Sequence, residues 1–434
     1  MTVDTEGQTV MRVCVVALHA LPAIDVSLNR PVGGTETRAW TFARGLAATG
    51  DVKVRFVVRA DRPREPFRQE NVDVIPMRDR LYSLYESVGR CIEKSPSFPG
   101  LRLRRWDWKL IWQVPILAIC RLIEGKRRDP WRVDPFYVDQ PVDLFCTFGV
   151  QANSARVIAA AHASGRKTVL VIGSDGDLDE RYTAGSTYVS PYGDVGGVCY
   201  DILQRTDAII AQTDIQQRWL LERFGRESTV IPNPIDLDRW DEQLQSEIPA
   251  EMTGGLDRYV LWVGRAESVH KRPELLLEVA RLCPDVEFLM ILNPRDRTVE
   301  ERIQSEAPSN VKIVPKVPFD RMPAVFERAA VFVSTSSLEG FPNVFLQAAA
   351  TGVPIASLEV GREFLESSRA GLWTDGDMTK LADFIRSNWR NRSEAREIGT
   401  CGRSYVADNH GLRTQADRLS TFLSSVTPVK ETDG

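Results

Sequence analysis

Apolar residues recur along this chain in two registers. Short runs rich in Val, Ile and Phe, suited to strands buried on both faces, alternate with stretches whose apolar positions fall three and four residues apart. That alternation predicts an α/β architecture built on parallel sheets. In the first half, strands are expected at 12–17, 52–58, 72–76, 143–147, 167–172, 207–211 and 228–231, with helices at about 36–48, 152–163, 195–204 and 214–224. After Pro232-Asn233-Pro234 the periodicity lapses, and the polar stretch that follows ends in Gly254-Gly255. A second series then begins, with strands at 259–264, 286–292, 311–314, 330–334 and 354–358. Helices are expected at 273–282, from about Asn343, and through most of 378–426. The strand at 354–358 is expected to close the second sheet.

At 434 residues the chain is too long for one ordinary core. The expected division is an N-terminal Rossmann-like domain at 1–235 with an insertion at about 61–140, a linker at 236–257, a C-terminal Rossmann-like domain at 258–410, and a C-terminal helix and tail at 411–434. Hydrophobic residues at 43% and charged residues at 26% fit a globular protein. The net charge of −4 gives no basis for nucleic-acid binding. Seven scattered cysteines without a CxxC pair read as reduced core thiols of a cytoplasmic protein. The first ten residues are too polar and acidic for a signal peptide, and the apolar run 110–119, interrupted by Gln113 and Pro115, is too short for a bilayer.

The candidate chemistry lies in the second half. Gly264-Arg265 ends a buried strand and Lys271 follows near a helix start. Two cations at the carboxyl end of a parallel strand suit a diphosphate, because ligands of such sheets sit outside the strand ends. The segment Ser334-Thr335-Ser336-Ser337-Leu338-Glu339-Gly340-Phe341-Pro342-Asn343 runs from a strand through a Gly/Pro loop into a helix. Asn343 is expected to cap that helix, whose free N–H groups and positive dipole end would attract phosphate or sugar oxygens. Glu339 in the loop, and Gln347 a turn further on, could bond sugar or ribose hydroxyls.

These residues together resemble the donor half of family-4 glycosyltransferases of the GT-B fold: Gly264-Arg265…Lys271, then Glu339-Gly340-Phe341-Pro342-Asn343-Val344-Phe345-Leu346-Gln347, then Gly352-Val353-Pro354. Gly33-Gly34-Thr35-Glu36 is similar to the GGxE loop that opens the first helix of the family's N-terminal domain, and Val230-Ile231-Pro232-Asn233-Pro234-Ile235-Asp236 to its exit into the linker. The resemblance covers nearly the whole chain apart from 61–140. It implies a retaining sugar transferase with no cofactor and no metal, taking a nucleotide-diphosphate sugar. Arg265 and Lys271 would hold the diphosphate and neutralise the leaving group. Glu339 would orient the sugar over the backbone of Phe341, Pro342, Asn343 and Val344, and Gly264 and Gly340 would leave it room. Gly33 and Gly34 would let backbone approach the phosphates. The acceptor is expected on the N-terminal side, at the loops after Leu18, Phe148 and Ile172. Polysaccharide or glycolipid assembly is what the family class implies.

The chain departs from the family pattern in places. Gln347 stands where the family has a second Glu, and Phe148 where it usually has a His. Asp175 is a candidate for the carboxylate facing the acceptor. Asp175-Gly176-Asp177 imitates a two-carboxylate metal motif, although an Asp-rich turn is the simpler expectation. His19 is the histidine expected nearest the cleft. A catalytically silent nucleotide-sugar-binding protein is the alternative that Gln347 and Phe148 raise. A dinucleotide oxidoreductase is excluded by the first strand, which exits as Leu18-His19-Ala20-Leu21-Pro22 without GxGxxG.

The stretch 101–132 stands apart. Arg102, Arg104, Arg105, Lys109, Arg121, Lys126, Arg127, Arg128 and Arg132 face only Asp107, Glu124 and Asp129, among Trp106, Trp108, Trp112 and Trp131. The first expectation is a helix packing its apolar stripe on the N-terminal sheet with a solvated basic face. The alternative is peripheral contact with an anionic surface at the inner face of the membrane. Pro115 argues against one long straight helix.

Overall fold

The apolar runs form two parallel sheets in the computed structural model, which describes residues 2–3, 9–28, 33–60, 62–89, 91–94, 100–103, 106–124, 129–190 and 193–427. In the N-terminal domain the strands are β1 (Thr9–Val16), β2 (Val52–Ala60), β3 (Phe67–Gln69), β4 (Val72–Arg78), β5 (Leu144–Phe148), β6 (Lys167–Val171), β7 (Ala208–Ala211) and β8 (Thr229–Val230). Their order across the sheet is β8-β7-β6-β5-β1-β2-β4-β3, with Thr2–Val3 added antiparallel to β1. Val13, Cys14, Val15 and Val16 of β1 are all buried, because helices cover both faces of the sheet.

The C-terminal domain has β9 (Tyr259–Arg265), β10 (Phe288–Asn293), β11 (Val311–Val314), β12 (Ala329–Ser334), β13 (Ile355–Ser357) and β14 (Gly371–Trp373), in the order β11-β10-β9-β12-β13-β14. The sheet therefore does not close at 354–358: β14 pairs beyond β13. A three-residue Gly-Leu-Trp strand has too little pattern to be read from sequence. In each sheet the order reverses beside the first strand, between β1 and β5 and between β9 and β12. Loops leaving those strands diverge there and open a crevice.

The segment 236–257, expected as the linker, has structure of its own. It holds helices Leu237–Leu244 and Ala250–Thr253, and it buries Trp240 in the C-terminal core. Trp240 Nε1 donates to Thr351 Oγ1 at 2.9 Å. The chain passes between domains twice, side by side: Ile235 N–H donates to the His410 carbonyl at 2.8 Å, and Leu412 N–H to the Ile235 carbonyl at 3.0 Å. The last helix, Leu412–Val426, returns to the N-terminal domain and puts Leu419 and Leu423 into its core. There it lies against helix α1 (Gly34–Thr49). A Cβ on Gly45 of α1 would meet Leu412 at 2.7 Å and Ala416 at 2.9 Å, so this close packing needs the glycine.

The insertion contains helix α2 (Arg80–Gly89) and helix α3 (Leu110–Glu124), with a short antiparallel ribbon between them. Pro115 lies inside α3, which continues on both sides of it. Arg104, Arg105 and residues 126–128 lie outside the described residues. All seven cysteines are free, and Cys14, Cys91, Cys146, Cys199 and Cys283 are buried.

Candidate functional site

In the C-terminal domain the two loops beside the sheet's reversal are built as one unit. Arg265, the last residue of β9, is exposed. The following turn is held by Glu267, whose carboxylate accepts from the backbone N–H of Lys271 at 2.7 Å. Arg272 takes a left-handed conformation, φ 48°. Its guanidinium donates to the Thr335 carbonyl and to Glu359, each at 2.8 Å. Thr335 Oγ1 returns the tie, donating to the Lys271 carbonyl at 2.8 Å and accepting from Trp262 Nε1 at 2.9 Å. Gly264 leaves room for that indole, which a Cβ would meet at 2.5 Å. This frame delivers Lys271 Nζ to the Glu339 carboxylate in an ion pair whose two side chains are each about one-fifth exposed.

Helix α4 (Asn343–Ala350) begins four residues after Glu339. Asn343 is not its cap, as the sequence led us to expect. Pro342 occupies that position without a side-chain bond, and Asn343 is the first helical residue. The reason is tertiary: the Asn343 amide is recruited across the cleft, where its Nδ2 donates to the Gly34 carbonyl at 3.0 Å and its Oδ1 accepts from Asn233 at 2.8 Å. Gly33 precedes α1 as its cap, and Gly34 opens the helix. The N-termini of α1 and α4 therefore meet face to face, and a Cβ on Gly34 would sit 3.0 Å from the Asn343 amide nitrogen. Gly340 makes the second interdomain approach, with a Cβ position 2.8 Å from Ser174 Cα and 2.9 Å from Gln212 Nε2. Phe341 is held against His410, ring centroids 5.3 Å apart. Val344 and Gln347 are half-buried along α4.

Asn233 is a hub that sequence reasoning treated only as part of an exit strand. Its Oδ1 accepts from Arg38 at 2.9 Å, its Nδ2 also donates to Gln212 Oε1 at 3.0 Å, and its carbonyl accepts from His410 Nδ1 at 2.8 Å. The last bond requires the proton on Nδ1, and burial pushes the His410 pKa down to about 4. Arg38 is buried, donates to the Ile172 carbonyl at 2.5 Å, and stands 5.5 Å from the centre of the Phe148 ring. Burial lowers its pKa to about 10, which still leaves it charged at neutral pH. Arg38 lies on the helix expected at about 36–48, where nothing in the sequence singled it out.

The two carboxylates after β6 have separate jobs. Asp177 accepts from the Gly173 N–H at 2.7 Å and ties that loop to its own start. Asp175 Oδ1 accepts from Gln216 Nε2 at 2.9 Å, and Gln216 in turn accepts from the Gln212 N–H at 2.9 Å. Burial, reinforced by the charges of Asp177 and Glu339, raises the Asp175 pKa to about 7 against the pull of Gln216. No group of three or more potential metal ligands occurs among the described residues.

A cavity of about 220 Å³ opens at the N-terminal sheet's reversal, between the ends of β1 and β5. His19, Glu36, Arg59, Phe148, Asn153 and Asp194 line it. The loops after Leu18 and Phe148 thus meet, whereas Asp175 is not among the residues lining this cavity and bonds Gln216 instead. Glu36 also folds back over Gly33, so the first turn of α1 is a wall shared by this cavity and the two facing helix starts.

Residues 32–239 match the family described as Glycosyltransferase Family 4, and residues 257–391 the one described as Glycosyl transferases group 1. Among curated relatives, a phosphatidyl-myo-inositol mannosyltransferase of Mycobacterium leprae is 28% identical over 193 residues, covering 42% of this chain and 50% of the relative. A D-inositol 3-phosphate glycosyltransferase of Nocardia farcinica is 24% identical over 247 residues, covering 52% and 54%. The chain spans about half the length of the curated relatives it matches. Among solved structures, sucrose-phosphate synthase of Thermosynechococcus elongatus superposes with a TM-score of 0.68 at 18% identity, over 96% of this chain and 99% of that one. Anabaena HepE in complex with UDP and glucose gives a TM-score of 0.63 at 15% identity, over 96% and 100%. At these identities the likeness is one of fold, two parallel-sheet domains facing a cleft.

Proposed function

This chain belongs to the family-4 glycosyltransferases of GT-B fold, and from that premise we propose that it moves a sugar from a nucleotide-diphosphate sugar to an acceptor, retaining anomeric configuration. The observation that carries this reading is the meeting of two helix N-termini, at Gly34 and Asn343, beside the Lys271–Glu339 ion pair. Helix starts present unbonded N–H groups and a positive dipole end, and two of them converging with Lys271 and Arg265 make a site for a diphosphate. As the sugar–phosphate bond breaks, negative charge grows on the departing oxygen. Fixed cations and N–H groups already aimed there lower the barrier without reorganising. Since protein groups meet that charge, the reaction is written without a metal.

Glu339, freed from Lys271 when a phosphate oxygen takes its place, accepts from the sugar hydroxyls. Gln347 faces the ribose as a neutral partner. The acceptor occupies the cavity of His19, Glu36 and Asn153, whose polar lining suits a hydroxylated molecule. The names of the relatives support a polyol or glycolipid acceptor. Asp175 lies outside that cavity, bonded to Gln216 beside the Gly340 approach. It is assigned the acceptor's proton on the reading that the reacting hydroxyl extends from the cavity toward the other domain, a task for which a pKa near neutrality is suited.

Thermal-shift and calorimetric titrations with UDP, GDP, ADP, dTDP and CMP test the donor site. One diphosphate should stabilise the wild type and leave Arg265→Ala and Lys271→Ala unmoved. The corresponding nucleotide sugars are then assayed for hydrolysis and transfer. No response to any nucleotide at millimolar concentration would remove the donor site and the function with it.

A further inference from the structure

Helix α3 buries Leu110, Gln113 and Leu117 along one edge and packs through them on α2, where Ser87 Oγ donates to Gln113 Oε1 at 3.0 Å. Along 110–120 the helix does not show the basic outer face expected of this stretch. The outward side chains are apolar: Ile111 is 58% exposed, Trp112 49% and Ile119 55%, with Val114 and Ile116 between them. Trp108, in the turn before the helix, is 74% exposed. Scattered exposed apolar residues are ordinary, but a helix apolar over most of its free circumference is not.

We propose that α3 and the turn before it dock in the interfacial layer of an anionic membrane. Three observations choose this occupant. The helix has 15 residues, and no described helix is long and apolar enough to cross a bilayer, so it lies in the interface plane. Tryptophans gather at its N-terminal end, where an indole can bury its ring and keep its N–H wet. The charge around it is complementary to anionic lipid: residues 101–132 hold nine basic and three acidic residues in a chain of net charge −4, and Arg102 and Lys109 are exposed. A second copy of the chain would instead bring two such basic surfaces together.

The position adds a consequence, which rests on the glycosyltransferase reading. Helix α2, on which α3 packs, carries Tyr82. Its ring meets His19 edge-on at 5.9 Å and lies 4.5 Å beneath the Arg59 guanidinium. His19 and Arg59 line the acceptor cavity. One helix therefore separates the docked surface from the acceptor site, and an amphiphilic acceptor would be delivered from the lipid side.

Flotation of the full chain with vesicles tests the docking without turnover. The wild type should float with phosphatidylcholine vesicles containing phosphatidylglycerol, and high salt should weaken this. Phosphatidylcholine alone should leave it in solution. Trp108→Glu/Ile111→Glu should lower partition by about tenfold or more, and Arg102→Glu/Lys109→Glu should remove the salt sensitivity. Unchanged melting temperature and nucleotide binding keep the variants interpretable. A wild type that stays in solution with both vesicle types overturns the proposal, as does equal flotation of the variants. Sedimentation velocity showing a dimer that Trp108→Glu/Ile111→Glu dissociates would overturn it in favour of a second copy. Flotation by a chain that binds no nucleotide would leave the docking intact and fail only the transferase reading.

Discussion

Asn233 and Asn343 hydrogen-bond to each other from opposite sides of the cleft, Asn233 Nδ2 donating to Asn343 Oδ1 at 2.8 Å. Both amides bond through nitrogen and oxygen alike. Asn343 passes its own N–H to the Gly34 carbonyl, and Asn233 takes Arg38 and Gln212 on its remaining positions. The start of helix Asn343–Ala350 in one domain is thus tied to the other domain through the Asn343 side chain, which bonds the Gly34 carbonyl and the Asn233 amide.

Asn343→Ala removes both cross-cleft bonds, taking the Asn343 donor from the Gly34 carbonyl and the Asn343 acceptor from Asn233 Nδ2. At about 1–3 kcal/mol for the bonds lost, the closed arrangement should be disfavoured by roughly 10- to 100-fold. Small-angle scattering should show a larger radius of gyration, and kcat/KM for the donor should fall by a similar factor. Asn343→Asp should be worse in activity: it keeps an acceptor for Asn233, loses the donor to Gly34, and adds a negative charge where a diphosphate must sit. Unchanged scattering and activity in both variants would mean that the amide pair does not hold the cleft.

Gly340→Ala probes the same closure through sterics. The new methyl would meet Ser174 Cα at 2.8 Å, a backbone atom that cannot swing aside, as well as the amides of Gln212 and Gln216. The C-terminal domain alone has room for it, so the thermal stability of that domain should change little. Activity should drop by about 100-fold or more, in line with misplacing a site by an ångström or so. A fully active Gly340→Ala enzyme would show that this approach is not made during turnover.

Strands buried on both faces announce themselves, because nothing polar interrupts runs such as Val13–Val16, and so the fold class and the placing of Arg265, Lys271 and Glu339 at or beyond the ends of strands were readable in advance. Residues whose meaning depends on distant parts of the chain were not. Arg38 carries no local mark distinguishing it from a solvent-facing helix cation; Ile172 and Asn233, 134 and 195 positions away, supply the acceptors that let it be buried. Asn343 looks like a cap by every local rule, and a tertiary carbonyl outcompetes that role. Helix Leu237–Leu244 is short and polar apart from Leu237, Trp240 and Leu244, too few positions to establish a period before the core they enter is known.

Asp175 should make stability and activity run in opposite directions with pH. Its folded pKa, raised to about 7 from the ordinary 3.8, means the folded state holds a proton that the unfolded chain has released. The associated stability is fully present below about pH 4 and is lost as pH rises through 7. Three units correspond to a ceiling of about 4 kcal/mol. Asp175→Asn cannot titrate and still accepts from Gln216. Its melting temperature relative to wild type should therefore rise steadily between pH 5 and pH 8. Activity of the wild type should increase through about pH 7 as the carboxylate forms, while the Asn variant should be lower by about 100-fold and lack that limb. Parallel melting curves across this range would sink the assignment.

His410 titrates with the opposite sign. Buried against Phe341 and donating to the Asn233 carbonyl, it is held neutral with a pKa of about 4, below the ordinary 6.5. The unfolded chain takes up a proton first, so stability contributed here is full above pH 6.5 and is lost as pH falls toward 4. The ceiling is about 3 kcal/mol for two and a half units. His410→Gln keeps a donor for the carbonyl but loses the ring packing, and at pH 7 it should melt lower than wild type, by roughly 2–4 °C per kcal/mol lost. On acidification the gap should narrow, because only the wild type has a proton to bind on unfolding. Since His410 and Ile235 sit where the chain passes between domains, the same acidification should loosen the cleft in wild type. Scattering at pH 7 and pH 5 should show expansion in wild type and less change in His410→Gln. A gap in melting temperature that stays constant from pH 7 to pH 4.5 would show that the imidazole is not the group being charged.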